Sequence, residues 1–206
     1  FDADGMRLYP VRLDQSDVER YYEGYSNATL WPLYHDVIVD PEFHRGWWDS
    51  YLSANRRFAA AAAPVAAPGG TIWVHDYQLQ LVPRMIRDKR NDVRIGFFNH
   101  IPFPPVELFS QLPKRNSILR GLLGADLIGF QRESDTLNFV ASVRRLLGYH
   151  VDVTTISVPG IGAAPVREVQ VETFPISIDS AAVSALTEDP EICERAAELR
   201  RELGDP

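Results

Sequence analysis

Cysteine is nearly missing from this sequence: Cys193 stands alone among 206 residues. No internal disulfide and no thiolate metal site can be built, so a reducing compartment, the cytoplasm, is the expected setting. Long apolar runs are missing too. No stretch of about 18 apolar residues is there to span a bilayer, and the opening FDADGMRLYPVRLD has neither the basic nor the apolar region of a signal peptide. Positive charge is in deficit, with 21 Lys and Arg against 28 Asp and Glu and a formal net charge of −7. That excludes a broad basic footprint for nucleic acid or an anionic membrane, although a local group of arginines could still hold a phosphate. Low-complexity tracts are absent, the 15 Pro and 13 Gly being spread along the chain as punctuation. What is present is a globular composition, 45% hydrophobic and 24% charged, which rules out disorder, collagen and coiled coil. The first residue is Phe1 and not Met, so the natural start is expected upstream.

Apolar runs alternate with segments of helical period, the pattern of a parallel sheet covered by helices on both faces, a Rossmann-like α/β fold. Strands are expected at Thr71–His75, Arg94–His100, Ala125–Phe130 and Val169–Phe174. The runs IWV and IGFF read as central strands buried on both faces. Helices are expected at Asp14–Glu23, Gly46–Ala62, Tyr77–Lys89, Pro105–Leu112, Arg115–Leu123, Ser134–Leu147 and Pro190–Leu203. Residues 149–168, with VPGIGAAP, read as an exposed hairpin or variable loop. A domain boundary is expected near 175, dividing 1–175 from 176–206. The last helix carries an apolar stripe, Ile192, Ala196, Leu199 and Leu203, that wants a partner surface.

Ligands of open α/β sheets bind at the carboxyl ends of the strands, and there the sequence places polar residues. In WVHDYQLQLVP, residues 73–83, the strand delivers His75 and Asp76 to its tip. Asp76 can orient a sugar hydroxyl or act as a base; it can equally do no more than cap the next helix. In IGFFNHIPFPPVELF, residues 95–109, Pro102, Pro104 and Pro105 stiffen the loop after His100. A rigid imidazole beside a second polar tip favours a ligand contact over a core histidine. YYEGYSNATLWPLYHD, residues 21–36, holds Tyr22 and Trp31, either a sugar platform or core filler, with Trp31 biased to extended geometry by Pro32. GADLIGFQRESDTLNF, residues 124–139, puts Gln131 and Arg132 after a strand, with Ser134 as the expected cap. Arg132 can meet an anion or simply be solvated. Phosphate-loop, dinucleotide, nucleophile-elbow and zincin motifs are absent. His35, Asp36 and His44 make only a weak metal constellation, so no metal site and no cofactor are expected.

Those four blocks, in that order across 21–139 and with similarity reaching PISID at 175–179, resemble the N-terminal half of the trehalose-6-phosphate synthase family. The resemblance implies a GT-B glycosyltransferase, two Rossmann-like domains facing a cleft. It would move glucose from a nucleotide sugar, UDP-glucose by preference, to glucose 6-phosphate with retention. It implies further that Tyr22 and Trp31 line the acceptor pocket, that Asp76 bonds the acceptor sugar, that His100 contacts the donor glucose and that Gln131 sits beside the donor. No enzymic nucleophile is implied; the departing phosphate assists deprotonation, and Asp76 and His100 position and stabilise.

Three departures stand beside it. The family opens with a strand and a glycine-rich loop carrying an Arg for the acceptor phosphate, and Arg7 and Arg12 do not occupy that motif. Its C-terminal nucleotide domain lies beyond this sequence, so the chain alone is expected to be inactive. Asn99 stands where the family has an apolar residue, an amide able to alter donor contacts. A related transferase with another acceptor or donor, such as a glucosylglycerol-phosphate synthase or a pseudoglycosyltransferase, therefore stays open, as do a non-catalytic sugar-phosphate-binding half and a homo-oligomer.

Overall fold

Arg94–Phe98 is an apolar run ended by the Pro102–Pro105 segment, and it forms a parallel strand at the heart of a sheet. A computed structural model of the chain describes residues 2–3, 6–36, 39–160 and 165–204. Two compact units divide it, Phe1–Pro175 and Ile176–Pro206. The first unit holds a two-residue ribbon, β1 Asp2–Ala3 with β2 Met6–Arg7, and a sheet of six strands. These are β3 Thr71–His75, β4 Arg94–Phe98, β5 Leu127–Phe130, β6 His150–Asp152, β7 Thr155–Val158 and β8 Arg167–Thr173. Their order is β3-β4-β5-β8-β7-β6. The first four are mutually parallel, and β7 and β6 add on as an antiparallel hairpin. The hairpin expected at 149–168 is thus part of the sheet, with Ile156 and Val158 buried; the expectation at 161–164 falls outside the described residues.

The run IWV in β3 departs from the expectation of a strand buried on both faces. β3 is the outermost strand, Val74 is its one buried residue and Trp73 is 66% exposed. Strand β4 does fill the core, with Ile95, Phe97 and Phe98 buried. It ends two residues early because the His100 N–H leaves the ladder for the Asp76 carboxylate.

The expected helix 14–23 begins with a capping box at Asp14 in α1, Gln15–Asp17, and then runs on without interruption. It widens into a π-helix, Val18–Leu30, and tightens again as α2, Trp31–His35. Trp31 is therefore helical, with φ −60° and ψ −51°, and not extended. An α-helix would need the residue-32 N–H to bond the Ala28 carbonyl, which Pro32 cannot do. Here Glu42 N–H takes that carbonyl at 2.9 Å, and Thr29 Oγ1 bonds the Glu42 carbonyl in return. Gly24 is required where this helix crosses α3, Arg45–Ala62, because a Cβ there would lie 2.6 Å from the Trp47 indole.

The helix expected over 77–89 is broken into a 3₁₀ turn, Tyr77–Leu79, and α4, Val82–Arg87. The Gln80 and Leu81 N–H groups turn instead to Tyr51 Oη and Asn55 Oδ1. Short α5, Val106–Phe109, and α6, Arg115–Leu122, follow; then comes α7, Glu133–Leu147, ended by Gly148 at φ 69°. Ser134 lies inside α7 and does not cap it. Arg132 holds the cap position, its carbonyl accepting from Asp135 and Thr136 N–H. An aromatic core of Tyr34, Phe103, Phe109, Phe130 and Phe139 fills the space between sheet and helices.

The second unit contains α8, Ser180–Leu186, which the sequence pattern did not show, and α9, Pro190–Glu202. Ile192, Leu199 and Leu203 are exposed.

Candidate active site

Strands β3 and β4 run in register, Val74 opposite Phe97 and His75 opposite Phe98, so their polar ends arrive side by side. Asp76 follows β3 with φ 71° and ψ 168°, a region that belongs almost wholly to glycine. Four hydrogen bonds hold it there. Its N–H donates to the Phe98 carbonyl at 2.8 Å and its carbonyl accepts from Leu79 N–H at 3.0 Å. Oδ1 accepts from Tyr77 N–H at 3.0 Å and from His100 N–H at 3.1 Å. Asp76 thus caps the turn at 77–79, one of its two readings, and its carboxylate also reaches across to the tip of the neighbouring strand.

His100 is pinned on three sides. Besides the Asp76 bond, its carbonyl accepts from Gln131 Nε2 at 2.8 Å, and its ring Nε2 lies 2.9 Å from His75 Nδ1. The two imidazoles lie edge to edge with nearly parallel planes, 5.2 Å between centroids and 19° between planes. Trp73 flanks His75 at 4.5 Å and Phe98 meets His100 edge-on at 4.8 Å. Burial pushes His75 below the ordinary histidine range; the neighbouring His100 adds to the shift and Asp76 opposes it.

The loop beyond is braced from below. Asn138 Nδ2 donates to the Phe103 carbonyl at 2.9 Å, and the Asp135 carboxyl receives the Phe103 N–H while burial raises its pKa. Asn99, the amide expected to alter donor contacts, is 1% exposed and turned inward, its Nδ2 donating to the Ile101 carbonyl at 2.7 Å. Its amide nitrogen ties the loop back on itself.

Under Asp76 lies a buried polar frame that motif reading passed over. Tyr51 Oη donates to the Tyr77 carbonyl at 2.6 Å and accepts from Gln80 N–H at 3.2 Å. Asn55 holds the Gln78 carbonyl and the Leu81 N–H. Tyr34 Oη donates to Gln80 Oε1 at 2.8 Å. Gln80, noted near the start of the following helix, is wholly buried and belongs to this frame. A partly apolar residue such as Tyr or a buried Asn leaves no signature of such a role in a single sequence.

Asp76, His100 and Gln131 are therefore brought together at the carboxyl ends of three adjacent parallel strands, with His75 added to them. Tyr22 stands on the π-helix and Trp31 opens α2, 46% and 41% exposed. Tyr22 lies near enough to Tyr77 to raise its pKa along with burial and Asp76, up to about 12. Trp31 stacks on His35 at 4.1 Å, and His35 Nδ1 bonds the Trp31 carbonyl. His44 sits on Glu42 and Trp47 instead of joining His35. Arg132 is exposed beside Gln131.

The model of glycosyltransferase family 20 matches residues 2–206. Trehalose-6-phosphate synthase of Mycolicibacterium smegmatis is 56% identical over 98% of this chain, and that of Mycobacterium tuberculosis 55%. The chain spans 41% of the length of these relatives. Among solved structures, the Escherichia coli protein bound with UDP-2-fluoro glucose superposes with a TM-score of 0.77 at 31% identity, over 91% of this chain and 41% of that one. The N-terminal domain of Candida albicans trehalose-6-phosphate phosphatase gives 0.79 at 34% identity, over 94% of this chain and 40% of that one.

Proposed function

Because the chain belongs to glycosyltransferase family 20, we propose that it is the acceptor-side domain of a retaining transferase. The reaction moves glucose from UDP-glucose to glucose 6-phosphate and yields trehalose 6-phosphate. The observation that carries this reading is the convergence of Asp76, His100 and Gln131 on one point at the strand tips, with Asp76 held in a strained backbone conformation. Strain that surrounding hydrogen bonds maintain is concentrated at working sites.

In this reading Tyr22 and Trp31 line the acceptor sugar, Asp76 orients its reacting hydroxyl, and His100 and Gln131 face the transferred glucose. The bond from the glucose anomeric carbon to the donor phosphate oxygen breaks. The bond to the acceptor's anomeric oxygen forms on the same face, and the hydroxyl proton passes to the departing phosphate. The side chains fix geometry and meet developing charge, which supplies several kcal/mol without any covalent intermediate. Residues 176–206 lead into a second domain that grips the nucleotide, and the 206-residue chain alone is inactive. No cofactor or metal takes part, and the cytoplasm supplies both substrates and keeps Cys193 reduced.

The test supplies UDP-glucose and glucose 6-phosphate to the gene product that carries this chain. Release of UDP with a phosphorylated non-reducing disaccharide is expected; failure to form it overturns the reading. The match to the N-terminal domain of a phosphatase favours a second reading, a sugar-phosphate-binding half without transferase chemistry. Calorimetric binding of glucose 6-phosphate with no turnover of any nucleotide glucose would establish that one.

A further inference from the structure

The contact between the two strand-tip imidazoles assigns His75 a role that neither the motif reading nor the family relationship gives it. We propose that His75 is a positioning residue for His100, the two rings sharing one proton so that His75 sets the tautomer His100 turns toward the sugar. This rests on the reading that His100 faces the transferred glucose.

The geometry carries the argument. His75 Nδ1 and His100 Nε2 are 2.9 Å apart, and a bond between two imidazole nitrogens needs one of them to carry hydrogen and the other a lone pair. Two neutral arrangements satisfy it. If His75 Nδ1 donates, His100 accepts at Nε2 and carries its own hydrogen on Nδ1, facing outward as a donor. If His100 Nε2 donates, its Nδ1 faces outward as an acceptor and His75 carries hydrogen on Nε2. A proton passed along the bond by itself would leave an imidazolate beside an imidazolium, so the two neutral states exchange only when, at the same time, His100 Nδ1 gives a proton to solvent and His75 Nε2 takes one up. A second extra proton would put hydrogen on both facing nitrogens and break the bond, so the pair resists double protonation.

Neither ring is free to leave. Trp73 backs His75 and Phe98 backs His100, and the His100 backbone is tied to Asp76 and Gln131. The charged and titratable groups facing the pair are few. Among the described residues, Asp76 supplies the carboxylate that acts on His75, Tyr77 from the following turn donates its phenol to Asn27, and Gln131 from the tip of β5 is neutral. At His75, burial lowers the affinity for a proton, the neighbouring His100 lowers it further and Asp76 opposes both.

Two measurements test the inference. In the ¹⁵N-labelled chain, NMR is expected to show a through-hydrogen-bond coupling between His75 Nδ1 and His100 Nε2, and linked ring titrations; separate, independent titrations without coupling would overturn it. In the active gene product, His75→Phe is expected to lower kcat by about tenfold while leaving KM for glucose 6-phosphate in place, and to move the acid limb of the pH profile upward. His75→Asn, whose amide occupies the Nδ1 position, is expected to restore most of the rate. An unchanged pH profile in His75→Phe, or no rescue by Asn, would overturn the proposal. Should the gene product make no trehalose phosphate, the proposed function fails, and the coupling still decides whether the two rings share a proton.

Discussion

Asp76 concentrates the cost of building this site in one residue. Its φ of 71° puts a side chain where glycine is at home, a strain of about 1–3 kcal/mol. Both Asp76→Gly and Asp76→Ala lose the carboxylate, so urea unfolding is expected to show the Gly variant more stable than the Ala variant by about 1–2 kcal/mol, with product formation lost in both. Equal stabilities would mean that the backbone relaxes when the carboxylate leaves. His75 carries a pH signature. Its folded-state pKa lies below the ordinary 6.5, so the folded chain holds this proton less readily than the unfolded chain. The stability it contributes is complete above the ordinary value and declines as pH falls through 6.5 and below. Urea midpoints measured on either side of that pH are expected to converge in His75→Asn. Asp76 and His100 were legible in the sequence because each closes an apolar run with a polar residue. The partner role of His75 was not, since it depends on the register between two strands that a sequence does not contain.

The elements that hold the site are governed by close approach and by buried polar pairs. Gly124 follows α6, and a Cβ there would lie 2.2 Å from the Arg84 backbone nitrogen in α4. Gly124→Ala must push two backbones apart and is expected to cost about 1–3 kcal/mol in thermal or urea unfolding. Tyr51→Phe removes one hydroxyl, leaves the Gln80 N–H unpaired in the core and leaves the Tyr77 carbonyl with Gln80 Nε2 as its remaining side-chain donor. A loss of about 1–3 kcal/mol is expected, together with reduced turnover, because the turn that carries Asp76 rests on those bonds. The alternation of strands and helices was readable from periodicity. The break at Gln80 was not, because Tyr51 and Asn55, which divert its backbone, lie some 25 residues away in sequence. The hairpin of β6 and β7 was legible as a hairpin or loop at 149–168 but not as part of the sheet, because its place there comes from the pairing of β7 with β8.

In the first unit the candidate site and a charged clamp lie at opposite ends of the sheet. Away from the strand tips, Asp126 accepts from Arg87 at 2.6 Å and from Ile95 N–H at 2.8 Å, and meets Arg167 at 3.4 Å. Arg167 also donates to the carbonyls of Leu123 and Ala125. Asp126→Ala leaves two largely enclosed guanidinium groups without their carboxylate, and an unfolding loss of about 3 kcal/mol is expected. Combined with His75→Asn, the two effects should add to within about 0.5 kcal/mol, the sites sharing no partner. A second consequence comes from the π-helix, and it concerns angular phase. Tyr22 and Trp31 are nine positions apart. At the 100° step of an α-helix they would stand on opposite sides; at about 4.4 residues per turn, the pitch of i to i+5 bonding, nine positions make close to two full turns. A helix of that pitch brings the two positions to one side, so inserting or deleting one residue between them is expected to turn one position by about a quarter turn relative to the other.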